Sequence, residues 1–342
     1  MAREMPPTEK LGPGLWSLPV PIPNNPLGYT LVYLLDSDRG PVLVDAGWHD
    51  PATWRALDAG IAEAGFDIAE VYGVAVTHHH PDHHGLAGRV REVSGAWVAL
   101  HREDADVVRR HRASIAEGRG EWRDRNYEAL HADGAPEDEI RTLLAAEREL
   151  EVELPAEPDR LLEDGQVIDV PGRTVRAVWT PGHSPGHTCF ALEDEGRLLA
   201  GDHLLPSITP HVGLHDDRDG TADPLGDYLA SLERIEQLDP LEVLPAHQHR
   251  FDDVAERIAA VREHHEERLA EVRAALRDPR GVTMWGLAQR MTWNRSWEEI
   301  PVMMRRVATS EAAAHLRVLE RRREVEQLTD SLPVRYRLAA GA

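Results

Sequence analysis

The residues best suited to chemistry are five histidines and an aspartate that follow a short apolar run. The cluster extends from His78 to His84 and includes Pro81 and Asp82. Pro81 cannot continue a strand ladder, so the cluster is expected on a turn at the end of a buried strand. Neutral imidazoles and carboxylates crowded this closely are good ligands for zinc-type ions. The alternative is a solvated His-rich loop or a tag, but a tag lies at a terminus. The sequence therefore predicts a metal site.

Four other polar residues also come shortly after apolar runs: Asp45, His183, Asp202 and His247. One such residue alone usually occupies a turn or has its hydrogen bonds satisfied in a core. In sheet proteins, however, functional groups collect on the loops that leave one edge of the strands. Five strand ends with His or Asp, counting His78, therefore predict one shared site at a sheet edge.

The candidate ligands are sufficient for two metal ions. The first set would supply three imidazole nitrogens: His78, His80 and His183. The second set would supply one carboxylate and two imidazoles: Asp82, His83 and His247. Asp202 would bridge the two ions. Each ion then keeps an open position for water, which a catalytic site needs and a structural site avoids.

Three further assignments concern how the ligands would work. Asp82 is the candidate catalytic residue, because it could orient the activated water and carry its proton. Asp45 and His187 are candidate neighbours of the ligands that would fix their tautomers. His249 lies two residues after His247, so either histidine could be the last ligand.

The elements that must position these residues are predicted to be alternating strands and helices. Asp50 and Pro51 provide an N-cap and a first-turn proline for a helix that stops at Gly65. Residues 103–150 are charged and lack strand patterns, so a helical insertion over about 103–155 is expected, either a lid or a dimer contact. Strands are predicted in these further ranges: 29–35, 41–44, 71–77, 96–100, 166–170, 174–179, 197–200 and 242–244.

Composition narrows the function classes. The chain has 342 residues, which suffice for one large domain and a smaller one, and its net charge is −22. Arg262 onward carries a net +3, which leaves −25 for residues 1–261 and argues against a general nucleic-acid binder. Lys10 is the only lysine and Cys189 the only cysteine, so a P-loop and an all-thiolate metal site are excluded. No long apolar segment or signal-peptide core occurs, and a cytoplasmic protein without membrane partners is expected.

A serine-hydrolase reading fails on physical grounds. Gly182, Ser184 and Gly186 match the Gly-x-Ser-x-Gly pattern of such enzymes. Their oxyanion hole needs the backbone N–H of the residue after the serine. Here that residue is Pro185, which has no N–H.

The spacing His78-x-His80-x-Asp82-His83, followed by His183, Asp202 and His247, resembles the binuclear metal signature of the metallo-β-lactamase superfamily. The resemblance covers roughly residues 15–250, and Asp45 also matches it. It implies an α/β fold, a four-layer αβ/βα sandwich with metals at the sheet edges. The chain departs from the pattern at residues 246–249, where the family usually has Gly-His-Gly.

The C-terminal part resembles the small helical, winged-helix-like domain of the hydroxyacylglutathione-hydrolase and endoribonuclease-like branches. The expected organisation is therefore a catalytic domain over 1–261, with the helical insertion, and a mostly helical domain over 262–342.

The function expected from these features is hydrolysis of an ester-like small molecule by water that two divalent ions activate. Zinc is favoured, with manganese or iron as alternatives, and a thioester is the favoured substrate because a thiolate leaves without a strong general acid. A homodimer is left open. The rivals are a metal-dependent ribonuclease or phosphodiesterase and a persulfide dioxygenase with a single iron. A true zinc β-lactamase is disfavoured, because those enzymes resemble a pattern with cysteine where this chain has Asp202.

Overall fold

A computed structural model describes residues 4–118, 120–149, 154–214, 220–328 and 332–340. The chain forms two compact units, each made of several chain segments. The first unit comprises Met1–Ala113, Glu153–Pro210 and Ala230–Ile258. The second unit comprises Ser114–Val152, His211–Leu229 and Ala259–Ala342. Residues 119 and 150–153 of the predicted insertion, and residues 329–331, 341 and 342 of the predicted C-terminal domain, lie outside the described residues.

The first unit contains a seven-stranded sheet whose spatial order follows the chain. Its strands are β1 Glu9–Gly12, β2 Leu15–Pro21, β3 Tyr29–Leu35, β4 Val42–Val44, β5 Gly73–Ala75, β6 Trp97–His101 and β7 Arg160–Leu162. The strands from β1 to β4 pair antiparallel, and those from β4 to β7 pair parallel. The carboxyl ends of β4, β5 and β6 therefore meet at one edge of the sheet.

Helices cover one face of this sheet. They are α1 Pro51–Glu63, α2 Pro81–His84, α3 Ala87–Ser94 and α4 Arg102–Ala116, which continues into the second unit. The predicted start of α1 is confirmed, because the Asp50 side chain accepts a hydrogen bond from the Ala52 N–H at 2.7 Å. Leu57 and Ile61 on α1 are fully buried in the same core cluster as Leu43 of the sheet. Their spacing of four residues places both on one helix face.

A second, four-stranded sheet packs on the other face. Its strands are β8 Val175–Trp179, β9 Thr188–Leu192, β10 Arg197–Gly201 and β11 Glu242–Pro245, in the order β11-β10-β9-β8. Only β10 and β11 pair parallel within it. Buried residues of both sheets form one core, for example Val44 with Phe190. Helix α7, Pro224–Leu238, connects β10 to β11, and its Ser231 hydroxyl donates to the Pro181 carbonyl at 2.9 Å. The expected α/β sandwich is confirmed.

The strand predicted at 166–170 is wrong. Only an isolated bridge between Val167 and Arg176 occurs there. The Val170 N–H bonds to the carbonyl of Ile168, two residues back, at 2.9 Å. Gln166 and Ile168 still form backbone hydrogen bonds with Ala177 and Val175 of β8, but this local turn ends the pairing before a regular strand can form.

The second unit is mostly helical and carries a small sheet. Its elements include α5 Gly120–Ala132, α6 Glu137–Glu149, α9 Met284–Arg290, α10 Val302–Arg321 and the antiparallel strands β12 Val282–Thr283, β13 Val325–Leu328 and β14 Arg335–Leu338. Helix α8, Val254–Ala275, runs across residue 261. The domain limits 1–261 and 262–342 therefore stay a prediction. Among the described residues, no helix is long and apolar enough to span a bilayer.

Candidate metal centre

The loops that follow five strands carry the predicted site residues to one place. Asp45 follows β4 and His78 follows β5, its parallel neighbour. His183 follows β8, and Asp202 and His247 follow β10 and β11, the parallel pair of the second sheet. Asp45 adopts a left-handed backbone with φ 66°, a conformation that is unusual for a non-glycine residue and tends to occur at functional sites.

The first predicted ligand set forms a tight triangle of nitrogen atoms. His78 Nε2 lies 2.9 Å from His80 Nδ1, and His183 Nε2 lies 3.1 and 3.0 Å from these two atoms. Three nitrogens bound to one tetrahedral zinc at about 2.1 Å would lie roughly 3.4 Å apart. The three imidazoles therefore already stand close to the spacing that a zinc-sized ion requires.

The second predicted set lies beside the first. His247 Nε2 is 3.4 Å from Asp82 Oδ2, and His83 Nε2 is 3.6 Å from the same oxygen. Asp202 stands between the sets, because its Oδ1 is 3.1 Å from His247 Nε2 and its Oδ2 is 3.5 Å from His183 Nε2. The buried Nε2 atoms of His83 and His247 and the Oδ1 of Asp202 have no hydrogen-bond partner among the described residues. Buried polar atoms left in this state are costly, and a divalent cation would satisfy them.

The imidazole pKa values differ between the two sets. Burial, and then the neighbouring imidazoles, hold the pKa values of His78 and His80 well below the usual range. Burial also acts to lower the pKa of His247, but the Asp202 carboxylate outweighs it and raises that pKa to about 10. The pKa of His83 is likewise raised, because the charges of Asp82 and Asp202 outweigh its burial. His78 and His80 of the first set therefore present neutral nitrogens, whereas His83 and His247 of the second set pair as imidazolium with carboxylates when no metal is bound.

Asp45 orients ligands of both sets. Its Oδ2 accepts a hydrogen bond from His83 Nδ1 at 2.8 Å, which leaves His83 Nε2 directed to the centre. The Thr77 hydroxyl donates to Asp45 at 3.0 Å and lies 3.0 Å from His78 Nδ1, from which it can accept. His78 Nε2 is then the unprotonated atom, and it faces the nitrogens of His80 and His183. Thr77 directly precedes the histidine cluster in sequence, but its residue type alone does not indicate this role.

Two more contacts bear on assignments that the sequence left open. His247 is buried, and its Nδ1 donates to the Tyr29 carbonyl at 2.9 Å, whereas His249 is exposed. Only His247 of the two joins a ligand cluster. His187 accepts from the Asp202 N–H at 3.2 Å and lies 2.8 Å from the Thr180 hydroxyl. It therefore holds the backbone of Asp202.

Known proteins share this fold and sequence pattern. The family model described as "Metallo-beta-lactamase superfamily" matches residues 25–247. The probable metallo-hydrolase YqjP of Bacillus subtilis (strain 168) is 28% identical over 298 residues, which cover 86% of this chain and 88% of that protein. The metallo-beta-lactamase family protein TTHA1429 from Thermus thermophilus has a similar crystal structure. The two structures align with a TM-score of 0.78 and 33% sequence identity, and the alignment covers 96% of this chain and 100% of that chain.

A shorter match is to the atrochrysone carboxyl ACP thioesterase AgnL7 of Paecilomyces divaricatus, which is 39% identical over 93 residues. That match covers 27% of this chain and 26% of the fungal protein. The family model, by contrast, spans more than half of the chain and ends at the last candidate ligand, His247. The chain therefore belongs to the metallo-β-lactamase superfamily.

Proposed function

We propose that this chain is a hydrolase that holds two divalent metal ions and cleaves an ester-like bond in a small molecule. Zinc is the favoured metal and a thioester the favoured substrate. The observation that carries the proposal is the meeting of two ligand sets around Asp202, with His78, His80 and His183 nitrogens within 3.1 Å of one another. The family membership supports hydrolysis, and YqjP bears the description of a probable metallo-hydrolase.

The chain's own residues would prepare the reaction. Two divalent ions bound here would lower the pKa of a water molecule toward about 7 and polarise the substrate carbonyl. Asp82 keeps 13% of its side chain exposed beside the buried His83 and His247, so one carboxylate face can orient water and take its proton. Asp45 and the Tyr29 carbonyl hold the ligand rings in single tautomers, which limits the reorganisation needed during turnover.

The thioester assignment has two supports. A thiol leaves as thiolate with an ordinary pKa near 8.5, so the reaction does not need a dedicated acid beyond Asp82. The AgnL7 protein, similar over a short stretch, is described as a thioesterase. The second ligand set speaks for two ions and against a single-iron dioxygenase. The charge of −25 over residues 1–261 speaks against a nuclease.

The test is a substrate panel on metal-loaded protein, with the metal content counted by elemental analysis. Acyl-thioesters should release thiol faster than RNA or a β-lactam is cleaved, and Asp82→Asn should abolish the release. A chromogenic disulfide can report the thiol, because Cys189 is buried and burial raises its pKa to about 12. Two zinc or manganese ions per chain would support the proposal. A faster rate on RNA, or one iron per chain with oxygen consumption, would overturn it.

A further inference from the structure

A buried carboxylate outside the two ligand sets joins the loops that carry the first set. Asp104 lies in the first turn of α4, and its side chain is fully buried. Its Oδ2 accepts from the His79 backbone N–H at 2.9 Å and from the Ser184 hydroxyl at 2.8 Å. Its Oδ1 accepts from the Gly186 N–H at 2.7 Å. His79 Nδ1 lies 3.0 Å from Oδ2, although without hydrogen-bond alignment.

The groups that donate to Asp104 belong to the two loops that carry the first ligand set. His79 lies between His78 and His80, so its peptide N–H belongs to the loop that supplies two of the three imidazoles. Ser184 directly follows His183, the third imidazole. One carboxylate thus connects two loops more than 100 residues apart in sequence, since His78 and His183 are separated by 105 positions.

Gly186 shows how close this contact is. A Cβ atom at residue 186 would lie 2.5 Å from the Asp104 backbone nitrogen and 2.8 Å from the Asp104 Cβ. Only glycine therefore allows the loop to approach α4 this far. Because the first turn of α4 meets this loop at the backbone, a shift of the helix start would displace the loop that carries His183, and the carboxylate bonds to the same loop through Ser184 and Gly186.

We propose that Asp104 is a positioning residue that holds His78, His80 and His183 at ligand spacing before a metal ion arrives, and so sets the affinity of that set. An ionised carboxylate accepts hydrogen bonds only, and the three groups that bond to Asp104, the His79 and Gly186 N–H groups and the Ser184 hydroxyl, all donate. Charge-assisted hydrogen bonds of this kind are strong when buried. The inference rests on the metal-binding part of the proposed function. It does not depend on which substrate is hydrolysed.

The test compares Asp104→Asn with Asp106→Asn. In Asp104→Asn the new amide must direct its N–H₂ group at the N–H of Gly186 or at the donors from His79 and Ser184, so repulsion replaces attraction. Asp106→Asn is the matched control, because Asp106 lies on the same helix and pairs with Arg109 while about half exposed. Zinc affinity is measured by competition with a chromogenic chelator, and cobalt(II) absorption reports the geometry of the three-imidazole set.

The expected result for Asp104→Asn is zinc binding to one of the two sites weakened by about 10- to 100-fold, with a changed cobalt spectrum. Asp106→Asn should match the wild type. If Asp104 only stabilises the fold, unfolding of the metal-free variant shifts while zinc affinity and cobalt spectrum stay unchanged, and the inference is overturned. Should Asp104→Asn fail to fold, Ser184→Ala removes one donor, and unchanged zinc affinity there would equally overturn it. Wild-type protein that binds metal but hydrolyses nothing would refute the proposed function alone.

Discussion

Metal loading is expected to release at least two protons per chain at pH 7, one each from His83 and His247 of the second set, in addition to any lost by a metal-bound water. Metal ligands must be deprotonated, so any proton held by an imidazole in the metal-free protein has to leave. The carboxylates of Asp82 and Asp202 raise the pKa of His83 against its burial, and that of His247 to about 10. His78 has a lowered pKa and is already neutral.

The size of the effect follows from the pKa of His247, about 10. Removing its proton at pH 7, three pH units lower, costs about 4 kcal/mol. A raised pKa means that the proton is held below about pH 10 and competes with the metal. Affinity of this set should therefore rise about tenfold per released proton for each pH unit, up to that pH. His78 and His80 hold no such proton, so these two residues should add little to the pH dependence of metal affinity.

Calorimetry can count the protons. Zinc is titrated into metal-free protein at one pH in buffers with different ionisation enthalpies, and the slope of observed enthalpy against buffer enthalpy gives the number released. His247→Gln is the control, because it removes one of the two protonated groups and should lower the count by one. Enthalpies that do not depend on the buffer, or a count unchanged in His247→Gln, would refute the electrostatic reasoning.

Two further predictions concern the bridge and the core. Asp202→Ala should lose metal and activity together, because the Asp202 oxygens lie 3.1 Å from His247 Nε2 and 3.5 Å from His183 Nε2. Elemental analysis and turnover measurements check this. A variant that keeps both metal and activity would show that Asp202 is not part of the site. Gly73→Ala should destabilise the protein by about 1–3 kcal/mol or more, since its Cβ would lie 2.1 Å from the buried Trp97 ring. Gly120→Ala, with nothing within 4 Å, is the matched control in urea unfolding, and equal stability of the two variants would contradict the packing argument.

Local sequence determined the chemistry of the centre. His78, His80, Asp82 and His83 lie within six residues on one turn, so their proximity needs no knowledge of distant contacts. The start of α1 at Asp50 and Pro51 was predictable for the same reason, because a cap bonds to residues beside it. The failed strand at 166–170 shows the limit of such patterns. Alternation of residue types does not reveal that the Val170 N–H bonds to its own near neighbour.

Tertiary structure decided which groups hold the candidate ligands in place. Sequence alone does not distinguish His247 from His249 as the last candidate ligand, whereas in the structure the Tyr29 carbonyl of the other sheet accepts a hydrogen bond from His247 Nδ1 and leaves its Nε2 facing Asp82 and Asp202. In the sequence, Asp104 is one of many charged residues on a helix and nothing marks it as special. In the structure it accepts hydrogen bonds from two loops of the centre. Hydrogen bonds act only over about 3 Å, so partners remote in sequence become visible only after the sheets have brought their edges together.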